Sequence, residues 1–325
     1  MKYIHRIAVV GAGQLGSRHL QGLVRLNVPC EIHVVDPSVA SLGLARQRAG
    51  EVPAAAPHLL QFHQQIEALP PMLDHAVIAT AADVRLNVMR ALLQGRTVRN
   101  ILLEKVLFQR LSEYTLAAEL LQQAGSQAWV NCPRRAFPIY DLLRTFFADD
   151  PLQHVDVRGG NWGLGCNSIH FVDIIAFLAG GELHSISTAL LDQDLIDSKR
   201  AGFKEFTGTL LGRCGDASFS LTAQRGSQAP LLLTLRGANR SCLVDESAGR
   251  AFMCDPRDGG WRTVEFKVPV LSELATALTQ RILEHGNSEL TPFAQSTAYH
   301  LPLLQALGEH AAQHLGGPND FLPIT

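Results

Sequence analysis

A chain of 325 residues is long enough for two domains of ordinary size, each with its own core. Hydrophobic residues make up 46% and charged residues 18%, and 28 basic against 30 acidic side chains leave a net charge of -2. That balance argues against nucleic acid or an acidic membrane surface as the main partner, and no apolar run reaches the roughly 18 residues that suggest a membrane span. The N-terminus MKYIHRIAVVGAG lacks a signal-peptide layout. The cysteines (Cys30, Cys132, Cys166, Cys214, Cys242 and Cys254) are widely spaced without any C-x-x-C pair. Reduced thiols in a soluble cytoplasmic enzyme, with neither a disulfide framework nor a metal site, are the expectation.

Residues 5–10 (HRIAVV) form a short apolar, β-branched run, as in a strand buried on both faces. Gly11, Gly13 and Gly16 follow at once in GAGQLG, and Leu15, Leu20, Leu23 and Val24 mark a helix. The spacing has a physical reason: Gly11 permits a tight turn, Gly13 lets the backbone approach a pyrophosphate, and Gly16 lets helix and strand pack closely. The diphosphate would sit over unpaired N–H groups at the helix N-terminus. A second strand at 31–35 (EIHVV) ends at Asp36, about 20 residues beyond the glycines, where a carboxylate can accept from the ribose hydroxyls and repel a 2′-phosphate. The first domain therefore reads as a dinucleotide site that favours NAD, with NADP as the alternative. Further strands are expected at 75–79 and 98–103 around a helix at 84–93, followed by a helix at 112–124 and a strand at 127–131. This alternation predicts a doubly wound parallel sheet of Rossmann type over residues 1–126.

From residue 127 the pattern changes. A strand at 152–159 precedes a helix at 167–178, with Asn167 and Ser168 as cap candidates. Extended segments follow at 182–190, 205–212, 217–222, 231–236, 241–245 and 262–267, several alternating apolar and polar residues. Two helices close the chain at 271–285 and 292–314, and the tail 316–325 reads as a loosely held end. Residues 127–325 are thus expected to form an α+β domain with a mostly antiparallel sheet, facing the first domain across a cleft.

Three matches in order carry a family resemblance: GAGQLG, Glu104-Lys105 ending the strand ILLEK, and His170-x-x-Asp173 on a helix of the second domain. VIAT at 77–80, VNCPRR at 130–135 and the C-terminal ELTPFAQSTAYHLPLLQAL support it. Over essentially its full length the chain resembles the glucose–fructose oxidoreductase, inositol dehydrogenase and MocA (Gfo/Idh/MocA) family. The resemblance implies an NAD(P)-dependent dehydrogenase or reductase in carbohydrate metabolism, acting on a secondary alcohol or ketone of a sugar, sugar acid or nucleotide sugar. It also implies a large open sheet through which copies form homodimers or homotetramers.

The same resemblance assigns roles. Gly11, Gly13, Gln14, Leu15, Gly16, Asp36, Thr80, Glu104 and Lys105 line the cofactor. Lys105 and His170 handle the proton, and Asp173, one helical turn after His170, orients the imidazole or pairs structurally. Arg134, Arg135, Asn161, Trp162, Cys166 and Asn167 face the substrate. Two arginines can grip a carboxylate or phosphate bidentately, although either can instead pair with acids such as Asp141 or Asp149. Two departures stand out. Val106 replaces the usual proline after the lysine and removes the restraint its ring would supply. Cys166 stands where many members carry aspartate, which argues against a Lys–Asp–His polyol mechanism. These departures keep open a non-catalytic, dinucleotide-responsive regulator, or a reductase of an imine or other C=X bond.

Overall fold

The computed structural model describes residues 3–315 and 320–325. The chain begins β1 (His5–Val10), α1 (Gln14–Val24), β2 (Cys30–Val35), α2 (Val39–Gly50), β3 (Leu59–His63), β4 (Met72–Ile78), α3 (Ala82–Leu93), β5 (Thr97–Leu103), α4 (Leu111–Ala124) and β6 (Gln127–Val130). It continues through α5 (Pro138–Phe146), β7 (His154–Gly159), α6 (Leu164–Ala179), β8 (Leu183–Leu191), β9 (Ile196–Asp197), β10 (Lys204–Glu205), β11 (Gly208–Cys214) and β12 (Ala217–Ala223). Then come β13 (Leu232–Arg236), β14 (Ser241–Asp245), β15 (Arg250–Asp255), β16 (Gly260–Glu265), α7 (Leu271–His285), β17 (Thr291–Pro292) and α8 (Phe293–Leu315). No helix among the described residues is long and apolar enough to cross a membrane.

The chain divides into two compact units. The first comprises residues 1–108, 112–131 and 269–294. Its sheet has the order β17-β6-β5-β4-β1-β2-β3, parallel from β1 to β6 and closed by antiparallel β17. β1 pairs with β2 on one side and β4 on the other, so strand addition reverses at β1. In such sheets the carboxyl ends at the reversal point form the ligand-binding crevice. Ile7, Val9, Ile32 and Val34 pack with Leu20 and Leu23 of α1 and with Leu42 and Ala45 of α2, which explains why the apolar runs of β1 and β2 are nearly unbroken.

Two elements of this unit escape the sequence pattern. In α2 only Leu42, Ala45 and Ala49 are buried, too few for a recognisable stripe. β3 is a half-buried edge strand. The helix after residue 270 belongs here too: α7 lies so close to α1 that a Cβ on Gly22 would come within 2.6 Å of Ala275 Cβ and Ser272 O. Thr276 Oγ1 donates to the Gly22 carbonyl at 2.8 Å.

The second unit comprises residues 109–111, 132–268 and 295–325. Its eight-stranded sheet runs β16-β15-β14-β13-β7-β12-β11-β8 and is antiparallel except where β7 meets β12. The alternation read from the sequence is real: in β7, Val155 and Val157 are buried between more exposed neighbours. β15 and α5 were not legible. α5 starts on Pro138, a residue suited to the first helical position, and buries Ile139, Tyr140 and Leu143.

Two expectations are corrected. Asn167 and Ser168 do not cap the central helix, which begins a turn earlier on Gly163, held in the left-handed region at φ 79°. The end of the chain is not loosely held. Leu322 and Ile324 are buried, Leu322 N–H donates to Gln109 O, and Gln109 Nε2 donates to Ile324 O at 3.1 Å. Residues 316–319, within the same expectation, lie outside the described residues.

His75, in β4, is fully buried. Burial, with the nearby His19 adding to it, pushes its imidazole down to about 4. Between that value and the ordinary one near 6.5, the unfolded chain binds a proton that the folded chain refuses, so stability falls as the pH drops through this window. Chemical denaturation should show the wild type losing about 3 kcal/mol more than His75→Phe between pH 7 and pH 4; equal losses would remove His75 from the acid response.

Candidate functional site

The glycine turn is built from close approaches. Gly11 adopts φ +94°, and a Cβ there would meet Ala79 C and Thr80 N at 3.0 Å. Its N–H donates to Val35 O, while Ala79 N–H donates to Val10 O, each at 2.8 Å. The turn is thereby pinned to the ends of β2 and β4. On Gly16 a Cβ would lie 1.7 Å from Gly11 O, whereas on Gly13 it would meet nothing within 4 Å. Thus Gly16 is required by the protein's own packing, and Gly13 borders open space at the start of α1, where no side chain caps the helix. The first-turn amides of an uncapped helix suit an anion.

Asp36 ends β2 beside this turn. Its carboxylate accepts from Ala12 N–H and from Ser38 N–H, each at 2.8 Å. Gln14 is exposed and Leu15 half-buried at the head of α1. Arg48 of α2 reaches back to Gln14, donating to its side-chain Oε1 at 2.6 Å and its main-chain carbonyl at 3.1 Å. Arg48 was missed because nothing in the sequence ties a polar α2 residue to the glycine turn.

At the ends of β4 and β5 sit Thr80, Glu104 and Lys105. Thr80 Oγ1 is shielded and finds no hydrogen-bond partner among the described residues. Glu104 is buried, and its Oε1 meets His19 Nε2 at 2.8 Å and accepts from Asn131 Nδ2 at 2.7 Å. Burial pushes this carboxyl up, but His19, Asn131 and the charge of Arg85 outweigh it and hold the carboxyl below its ordinary value. Lys105 emerges half-buried from this anchored strand end. The Lys105–Val106 peptide is cis although no proline follows the lysine.

In the second unit α6 carries Cys166, Asn167, His170 and Asp173. A carboxylate distant in sequence caps it: Glu205 accepts from Gly165 N–H at 2.6 Å and Cys166 N–H at 3.2 Å. A negative group suits this helix end, and the spacing of some 40 residues explains why no local pattern announced it. Asn167 Nδ2 donates to Trp162 O at 2.8 Å. Trp162 Nε1 donates to Thr222 O at 2.8 Å, and its ring meets Phe171 edge-on at 5.2 Å. Asn161 is exposed and His170 half-buried.

Both arginines of VNCPRR are engaged, though not by Asp141 or Asp149. Arg134 forms a two-pronged pair with Glu246 at 2.9 and 2.8 Å, and Tyr140 OH donates to the same carboxylate at 2.5 Å. Arg135 donates through Nε to Asp173 Oδ2 at 2.8 Å. The Asp173 carboxylate, one turn after His170, is therefore held by a guanidinium. Asp141 pairs with Arg144 and Asp149 with Arg240.

No protein-family model matches the sequence, and no curated protein matches it. Solved structures match nearly the whole chain. A Gfo/Idh/MocA family oxidoreductase from Vibrio cholerae is 19% identical with a TM-score of 0.68, covering 96% of this chain and 100% of that one. Levoglucosan dehydrogenase in complex with NADH and levoglucosan is 14% identical with a TM-score of 0.73, covering 96% and 98%. A super-repressor mutant of Gal80p from Saccharomyces cerevisiae is 14% identical with a TM-score of 0.72, covering 96% and 97%. The chain shares the fold of these proteins, a Rossmann-type unit followed by an α+β unit with a broad sheet.

The different surroundings of the two glycines give opposite outcomes for one methyl group. Gly16→Ala should lower the unfolding free energy by about 3 kcal/mol through overpacking, while Gly13→Ala should leave it within about 0.5 kcal/mol of wild type. Urea denaturation of both variants checks this, and a stable Gly16→Ala protein would contradict the packing argument.

Proposed function

We propose that this chain is an NAD-dependent oxidoreductase that interconverts a secondary alcohol and a ketone on a neutral sugar or cyclitol. The single observation that carries the cofactor half is the open space above Gly13 at an uncapped helix start, with Asp36 alongside. The first-turn amides of α1 would hold the diphosphate and Asp36 the adenosine ribose hydroxyls, while Thr80 and Lys105 would flank the nicotinamide end. When bound, the nicotinamide supplies or accepts the hydride.

The remaining chemistry belongs to the protein. The Lys105 ammonium polarises the substrate oxygen, and His170 takes its proton on oxidation and returns it on reduction. Arg135 fixes Asp173 on the next turn of the helix that carries His170, and Glu205 fixes the start of that helix. The substrate preference follows from charge. The arginines that would grip a sugar acid or a nucleotide diphosphate are already paired with Glu246 and Asp173, which favours a neutral polyol. In the same reading copies of the chain pair through the eight-stranded sheet, whose β8 and β16 carry the exposed Leu190 and Trp261.

A second reading rests on Cys166 and Val106, which depart from the dehydrogenase pattern: a dinucleotide-responsive regulator with no turnover. One set of measurements separates the two. Across a panel of neutral sugars and cyclitols, Lys105→Met and His170→Asn should each lower turnover by about 10²- to 10⁴-fold, while NADH affinity measured by fluorescence stays near wild type. Full turnover in both variants would overturn the mechanism. Tight NADH binding by the wild type with no redox change on any panel member would favour the regulator.

A further inference from the structure

Arg85 lies in the first turn of α3 and is only 1% exposed. A guanidinium buried this deeply persists only where its charge and donors are met. Among its partners are main-chain carbonyls from two separate strand ends. Nη2 donates to Thr80 O, and Nη1 donates to Val106 O and to Leu107 O, the latter at 2.7 Å. The nearby Glu104 carboxylate balances the charge. A planar guanidinium offers donors in fixed directions, so one side chain can set the spacing and orientation of several carbonyls; a lysine ammonium on a flexible stem cannot reproduce that fork.

We propose that Arg85 is a positioning residue that clamps the segment after β4 to the segment after β5 and so sets where the Lys105 ammonium lies. Thr80 and Lys105 are both candidate residues of the nicotinamide end, and the clamp grips the carbonyl of one and the two carbonyls after the other. Position 106 carries valine, so no ring restrains the chain after Lys105, and hydrogen bonds from a side chain 21 residues upstream fix that turn instead. The inference rests on the assignment of Lys105 to the cofactor side of the site.

The test follows Lys105 itself. The protein is treated with sulfo-N-hydroxysuccinimide acetate, and acetylation of Lys105 is timed by peptide mass spectrometry. Each protein is measured without NADH and with NADH at ten times that protein's own Kd. In the wild type, NADH should slow acetylation about tenfold by mass action. In Arg85→Lys and Arg85→Ala that protection should fall below about threefold because the ammonium is displaced. Millimolar guanidinium should restore it in Arg85→Ala, and the neutral analogue urea should not. Undiminished protection in both variants overturns the proposal, as does rescue by urea equal to that by guanidinium. Loss of the folded circular dichroism signal in both variants would make Arg85 a strut of the fold and equally overturn it. Absence of protection in the wild type instead overturns the Lys105 assignment, and the clamp proposal falls with it.

Discussion

Glu104 is a carboxylate sealed inside the first unit at the end of β5, and three elements meet on it. His19 reaches it from α1, Asn131 from the end of β6, and the charge of Arg85 acts from α3. Without these partners a charged carboxylate at this depth would be driven to protonate. With them, it fixes the glycine-turn helix against the strand end from which Lys105 emerges. The helix that follows the glycine turn and the strand end that carries Lys105 are thus joined through one buried network.

The glycine turn is the mechanical counterpart of that network. Gly11 and Gly16 are required where backbone meets backbone, whereas Gly13 faces open space and is not required by the packing. Three identical residues thus have different physical reasons, two internal to the fold and one directed outward. Asp36 links them to the second strand end by receiving the Ala12 amide.

In the second unit the start of α6, Arg134 and Arg135 are each answered by a carboxylate of the same unit. Glu205 occupies the start of α6, Glu246 and Asp173 occupy Arg134 and Arg135, and Tyr140 adds its hydroxyl to Glu246. Pairing of this kind fixes side-chain direction and leaves these two guanidinium groups neutralised by their own partners. Of the candidate site residues on this unit, His170 is half-buried, and the indole of Trp162 is held by Thr222 and Phe171.

What the sequence determined by itself is local. The strand, glycine turn, helix and terminal acid of residues 5–36 follow from period, spacing and backbone freedom, which short stretches of chain encode, and so do the alternating strands of the second sheet. Elements with few buried residues, such as α2, or with a half-buried edge position, such as β3, leave no such period and were not legible. The tertiary structure alone decided the charge partners. Glu205 with α6, Glu246 with Arg134, Arg85 with the turn after Lys105, and the return of α7 to pack on Gly22 all join residues far apart in the chain. Their pairing energies depend on burial and on the convergence of separate strands, quantities that do not exist until the sheets have formed.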